Sequence, residues 1–292
     1  MMELKEYTEY LLTVLRNCEI SETEFDYRKK RLVDAEQRKG SQINPISDSY
    51  YNLAHEIKAA QFMQQFGNVM ISQDSVSQSG CDLLLNGRYQ IECVCSSAGD
   101  AQKNGLFDLC IMNNSNGKLI DYGKKQKVLY SRLTSSIAEK RNFYFKHLEN
   151  GSMDSQKPYL VFLGLGPLSL EMHTGNNGVE FTGVLFGKGN PEILIDNKTG
   201  EIVGTDYSHE DVLIKWNGAE LNCNIFQCQE YQCVSAILLS KADLYEPYTI
   251  HNTWLFINPF AYNKVTKKDF NGMIYWYACC GEYCSYKKWH RI

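Results

Sequence analysis

Apolar positions recur at helical spacing through the first quarter of the chain and then change period. In "EYTEYLLTVLRN", residues 6–17, Tyr7, Leu11, Val14 and Leu15 share one helix face. "SETEFDYRKKRLVDAEQRKG" follows, opening with Ser21 and Glu24 at the spacing of a capping box. Its basic run from Arg28 to Arg31 reads as a solvated helix face. "SDSYYNLAHEIKAAQFMQQFG" predicts a third helix. It starts at Ser47 or Asp48, carries a stripe through Leu53, Ile57, Ala60 and Met63, and stops at Gly67.

Beyond Gly67 the pattern turns to strands. "NVMIS" predicts a short one, and "CDLLL" and "YQIECVC" predict two more, joined by "NGR", an Asn-Gly hairpin signal. Residues 96–130 are polar and irregular and read as a functional loop or insertion. "SRLTSSIAEKRNFYFKHLENG" then predicts a helix and "KPYLVFLGLG" a buried strand. From Gly166 onward the reading is β-rich: "VEFTGVLFG" and "PEILIDNKTGEIVG" are strand-like, and "CVSAILLS" and "TWLFINPFAY" are apolar runs bounded by turn signals. The expected organisation is an N-terminal helical segment (1–46), an αβββαβ core (47–165) and a β-rich C-terminal extension (166–292) packed on that core.

Composition narrows the class. At 292 residues, with 43% hydrophobic and 22% charged positions, the chain can bury a sizeable core. No apolar run is long enough for a membrane span, and the N-terminus lacks a basic region followed by an apolar stretch, so a cytoplasmic protein is expected. The eleven cysteines, an odd number, read as reduced thiols rather than a disulfide framework. Cys279, Cys280, Cys284 and His290 make a poor zinc set, because adjacent cysteines are an awkward ligand pair. The net charge of −4 gives no global pull toward nucleic acid, so any such partner needs a local basic surface or a metal ion.

Three acids stand out. The element order puts Glu56 on the helix before the strands, Asp82 at the start of the second strand and Glu92 within the third. Strand alternation sets Glu92 and Val94 on one face and Ile91, Cys93 and Cys95 on the other. An acid among apolar neighbours is costly to bury unless it is paired or binds a cation. Asp82, Glu92, the Cys93 carbonyl and waters would meet the demand of magnesium, or manganese, for about six oxygens. The plain alternative is a hairpin whose polar edge faces water.

"AHEIKAAQFMQQFG" followed by "GCDLLLNGRYQIECVCSSAG" resembles the PD-(D/E)xK nuclease superfamily, over roughly residues 50–165. "VSAILLS" and "INPFAY" are similar to uncharacterised bacterial relatives that carry an Ile/Val-Glu-Cys strand. The resemblance implies an α/β, restriction-endonuclease-like αβββαβ core, a mixed sheet flanked by helices, hydrolysing phosphodiester bonds with DNA as the expected substrate. It maps the metal-binding acids onto Asp82 and Glu92 and the helix acid onto Glu56. The superfamily's lysine, two residues past the second acid, is missing, because Val94 stands there.

Some members supply that charge from the following helix. Here Leu133, Ile137, Tyr144 and Leu148 form a helical stripe, and Lys140 continues it, seven residues after Leu133 and four before Tyr144. A cation facing the sheet needs an anionic partner, and the strand acids are the candidates; the alternative is a lysine snorkelling from the stripe's edge. In the catalytic version Lys140 complements charge on the phosphoryl oxygens. Arg132 is a second candidate, and Lys124, Lys125 and Lys127 of "GKKQK" are candidate nucleic-acid contacts. A nuclease fold that no longer cuts and serves as a binding or assembly module is the competing expectation. A bacterial defence or effector protein awaiting a partner is another, and a homo-oligomer stays open.

Overall fold

The computed structural model describes residues 3–40, 46–72, 80–96, 111–114, 117–120, 122–166, 168, 179–209, 212–214, 218, 220–222, 224–279, 285–286 and 290–291. Three helices open the chain: α1 (Leu4–Arg16), α2 (Glu22–Gln37) and α3 (Asp48–Met63). α1 buries Tyr7, Leu11, Val14 and Leu15, the face its spacing selects. The Ser21 hydroxyl caps α2 by accepting from the Glu24 amide at 3.2 Å, but the Glu24 side chain turns inward to Arg28 instead of closing the box. The Ser47 hydroxyl caps α3 by accepting from the Tyr50 amide at 3.3 Å.

The strands follow as β1 (Val69–Ile71), β2 (Leu83–Leu85) and β3 (Tyr89–Cys95). A small hairpin, β4 (Ile111–Asn114) with β5 (Gly117–Ile120), precedes the long helix α4 (Tyr122–Glu149) and β6 (Tyr159–Gly164). α5 (Val179–Phe186) comes next, then the hairpin of β7 (Lys188–Ile195) and β8 (Ile202–His209) and that of β9 (Val212–Ile214) and β10 (Glu220–Asn222). β11 (Val234–Ser240), β12 (Thr253–Ile257), β13 (Ile274–Cys279), β14 (Ser285–Tyr286) and β15 (His290–Arg291) end the chain.

One nine-stranded mixed sheet organises the molecule, in the order β1-β2-β3-β6-β11-β12-β13-β14, with β15 also on β13. β2 runs antiparallel to β1 and β3; β3, β6 and β11 are mutually parallel; and β12 is antiparallel to β11. The β3-to-β6 connection must cross over a sheet face, and α4 occupies that crossover. One face of the sheet, with Ile91, Cys93 and Phe162, shares a core with α1–α3. The other, with Val161 and Leu163, packs on Leu133 and Ile137 of α4 and Phe181 of α5.

Three expectations change. "VEFTGVLFG" forms helix α5 rather than a strand, because Phe181, Val184 and Leu185 bury one face at helical spacing; so short an apolar run does not fix the period by itself. The segment 96–130 is not irregular throughout: it holds the β4–β5 hairpin, and α4 begins at Tyr122, taking in "GKKQK". β11 and β12 lie in the same sheet as the core strands, so the C-terminal part continues the sheet rather than packing on it as a layer.

Candidate functional site

The β2–β3 hairpin sets the site. Asn86 and Gly87 both take positive φ, 54° and 65°, the turn that an Asn-Gly pair supplies with least strain. Asp82 sits just before β2, where its backbone carbonyl accepts from the Ser72 amide at 2.9 Å. Its carboxylate reaches across the hairpin and accepts from the Cys93 amide at 2.7 Å. Glu92 points the other way from Cys93, as alternation requires, toward α4.

There it meets Lys140. The ammonium donates to Glu92 Oε1 at 2.7 Å. The Tyr159 hydroxyl, donating to the Lys140 carbonyl at 2.9 Å, pins that turn of α4 to β6. Glu92 is 2% exposed, and its Oε2 is buried without a hydrogen-bond partner. Burial raises the Glu92 carboxyl above its ordinary value; Lys140 pulls it down without cancelling the rise. Burial works against the Lys140 ammonium, but Glu92 and Asp82 together hold it above the usual lysine range.

Glu56 has a different neighbourhood. Arg28, 2% exposed, donates from Nη1 to Glu56, from Nε to Glu24 at 2.5 Å, and from Nη2 to the Ser72 carbonyl at 3.0 Å. The expectation that Arg28 lies on a solvated face therefore fails. Phe25, Arg28, Leu32 and Ala35 are all buried at helical spacing, so the arginine continues the apolar stripe of α2. That spacing was visible in the sequence and is the signal that could have identified it.

These groups border a cleft of about 520 Å³. Asp82 and Cys93 line it from the hairpin, Glu56 from α3, Arg31 and Arg38 from α2 and its end, and Arg132 and Lys140 from α4. The structure thus gathers Asp82, Glu92, Glu56, Lys140 and Arg132 in one region. Lys124, Lys125 and Lys127 fall on the first turns of α4, with side chains outside the described residues. Cys280 and Cys284 of the tail lie outside them too. Cys18, Cys81, Cys93, Cys95, Cys228 and Cys233 are free thiols, and burial pushes the Cys81 thiol up to about 12.

The expected magnesium or manganese site at Asp82, Glu92 and Cys93 does not form. Among the described residues no group of three or more His, Cys, Asp or Glu side chains is placed to hold a metal ion. The carboxylates have other partners: Glu56 pairs with Arg28, Glu92 with Lys140, and Asp82 with the Cys93 amide.

No protein-family model, curated protein or solved structure matches the chain. Among the described residues no helix is long and apolar enough to cross a membrane.

Proposed function

We propose that the chain is a nuclease-type phosphodiesterase on a restriction-endonuclease-like core, acting on nucleic acid with DNA as its expected substrate. The observation that carries this reading is the Lys140 ammonium, 2.7 Å from Glu92 and under the field of Asp82, at the wall of a cleft. The order of the first five strands, with β2 antiparallel to its neighbours and a helix crossing from β3 to β6, supports it.

In hydrolysis, water adds to phosphorus and the bond to the leaving oxygen breaks. Asp82, half-buried at the cleft, takes the water's proton. Lys140 complements charge growing on the phosphoryl oxygens, and Glu92 holds the ammonium charged and in place. The leaving oxygen takes its proton from solvent. No step of this reading runs through a metal ion.

A second reading is favoured by the Arg28–Glu56 pair, which engages the helix acid with a buried arginine. In it the fold binds nucleic acid without cutting, as an assembly module.

The test is incubation of the purified chain with labelled single-stranded and duplex DNA, scoring cleavage by gel and binding by fluorescence anisotropy. Cleavage that Lys140→Ala abolishes supports the first reading. Binding without cleavage supports the second, and cleavage untouched by Lys140→Ala and Asp82→Asn overturns the assignment of the site.

A further inference from the structure

The cleft has two walls, and one lies outside the αβββαβ core. α4 supplies Arg132, Ser136 and Lys140, whereas α2, from the N-terminal helical segment, supplies Arg31 and Asp34 with Arg38 at its end. Arg31 and Arg38 are seven residues apart, two helical turns, and both border the cleft.

α2 is fastened at two places. Near its middle, Arg28 ties Glu24 to Glu56 of α3 and to the Ser72 carbonyl after β1, with the guanidinium almost wholly enclosed. Near its C-terminal end, the Ser47 hydroxyl that caps α3 donates to the Ala35 carbonyl at 2.9 Å. Leu32 and Ala35 are also in the core shared with α1 and α3. An element with a buried charge network and an apolar face inserted in the core does not swing aside cheaply. The wall is fixed rather than a lid.

A fixed two-walled cleft of about 520 Å³ lies in the size range that encloses a small ligand, about 300–1,000 Å³. It has room for a nucleotide or two of one strand. A cleft of this volume takes in a length of single strand but not the body of a B-form duplex, whose major groove alone is about 12 Å wide. Among the cleft's carboxylates (Asp34, Asp48, Glu56, Asp82 and Glu139), the Arg31 and Arg38 guanidiniums on one wall and Arg132 on the other are the groups suited to phosphate oxygens of a strand running between them.

We propose that the N-terminal helical segment restricts the site to single-stranded nucleic acid, with Arg31 and Arg38 of the α2 wall holding its phosphates. This rests on the nucleic-acid reading of the cleft and adds to it the substrate class and the element that selects it.

The experiment measures binding of the full chain to a fluorescent single-stranded DNA oligonucleotide, its RNA counterpart and the blunt DNA duplex, across a salt series. The single strands are expected to bind at least about tenfold more tightly than the duplex; the DNA and RNA arms show which sugar is preferred. In the Arg31→Ala/Arg38→Ala double variant, the slope of log affinity against log salt should become shallower by about 1.4, two contacts at roughly 0.7 each. Both side chains are exposed, so circular dichroism should show the fold retained. Equal or tighter duplex binding overturns the proposal, as does an unchanged slope in the double variant. Cleavage of closed circular duplex by the active chain overturns this inference and leaves the hydrolytic reading standing. Single-strand binding without cleavage removes the hydrolytic reading and leaves this one.

Discussion

Two buried ion-pair clusters border the same cleft and differ in how completely they are satisfied. Arg28 spends Nε, Nη1 and Nη2 on two carboxylates and a carbonyl, in a setting closed to solvent. Lys140 holds one oxygen of Glu92, while Oε2 of the same carboxylate is buried with no hydrogen-bond partner. A saturated network rigidifies the structure around it; an incomplete one costs free energy and persists where function maintains it. By that contrast the Arg28 cluster is architecture, and under the hydrolytic reading the Lys140 cluster is machinery.

The largest effect on folding is therefore expected at the saturated cluster. Arg28→Ala leaves Glu24 and Glu56 buried without their cation, and the loss should be about 3–5 kcal/mol, read as a shift of the urea midpoint at unchanged slope. A loss below about 1 kcal/mol, the worth of an exposed pair, would erase the distinction between the two clusters.

Lys140→Ala should invert the pattern. Under the hydrolytic reading, cleavage falls by about 10²–10³-fold, the usual cost of removing one transition-state donor. Stability falls by less than in Arg28→Ala, because burial already raises the Glu92 carboxyl, which can take up a proton once the ammonium is gone. Single-turnover cleavage beside a denaturant titration checks both halves. A stability loss matching that of Arg28→Ala with cleavage intact would make Lys140 architecture as well.

How much of this was readable beforehand depends on the kind of signal. The order of α1–α3, β1–β3, α4 and β6 follows from period changes and the Asn-Gly turn, which are local, whereas the β4–β5 hairpin between β3 and α4 was not read. Lys140 was legible because its place in the stripe of Leu133, Ile137 and Tyr144 is also local, and the structure brings it to Glu92. The same spacing argument holds for Arg28 between Phe25 and Leu32, yet its basic neighbours Lys29, Lys30 and Arg31 made the run look like a solvated face. The partner of Glu56 could not be read at all, since it comes from a helix 28 positions earlier in the chain. α5 was misread because short apolar runs do not separate the two periods.

His55 supplies a third kind of buried group, satisfied while neutral. The Phe162 carbonyl can only accept, so Nε2 donates to it at 2.8 Å, and Nδ1 accepts from the Tyr248 hydroxyl at 2.6 Å. Burial drops the imidazole to about 3. A base depressed in the folded state gives stability that is complete above its unfolded value near 6.5 and is lost as pH falls toward 3. Between pH 7 and pH 5 this amounts to about 2 kcal/mol. His55→Gln should remove that share of the acid sensitivity, measured as the difference between urea midpoints at the two pH values. An unaltered pH dependence in the variant would mean that His55 titrates like an exposed imidazole.

The smallest stability change is expected at Glu92 itself. Glu92→Gln removes an ionisable carboxyl from a buried site that does not satisfy both of its oxygens, so folding should change by less than about 1 kcal/mol. The sign varies with pH. The Glu92 carboxyl is raised in the folded chain, so wild type has its best standing below the ordinary carboxylate range and loses ground as pH rises through the folded value. The variant should therefore gain on wild type between pH 4 and pH 8, while losing the anion that holds Lys140 charged. If Glu92→Gln instead destabilises the chain as much as Arg28→Ala, Glu92 is an architectural carboxylate and the contrast between the clusters fails. If it folds as wild type does and no longer cuts, the unpartnered oxygen belongs to function.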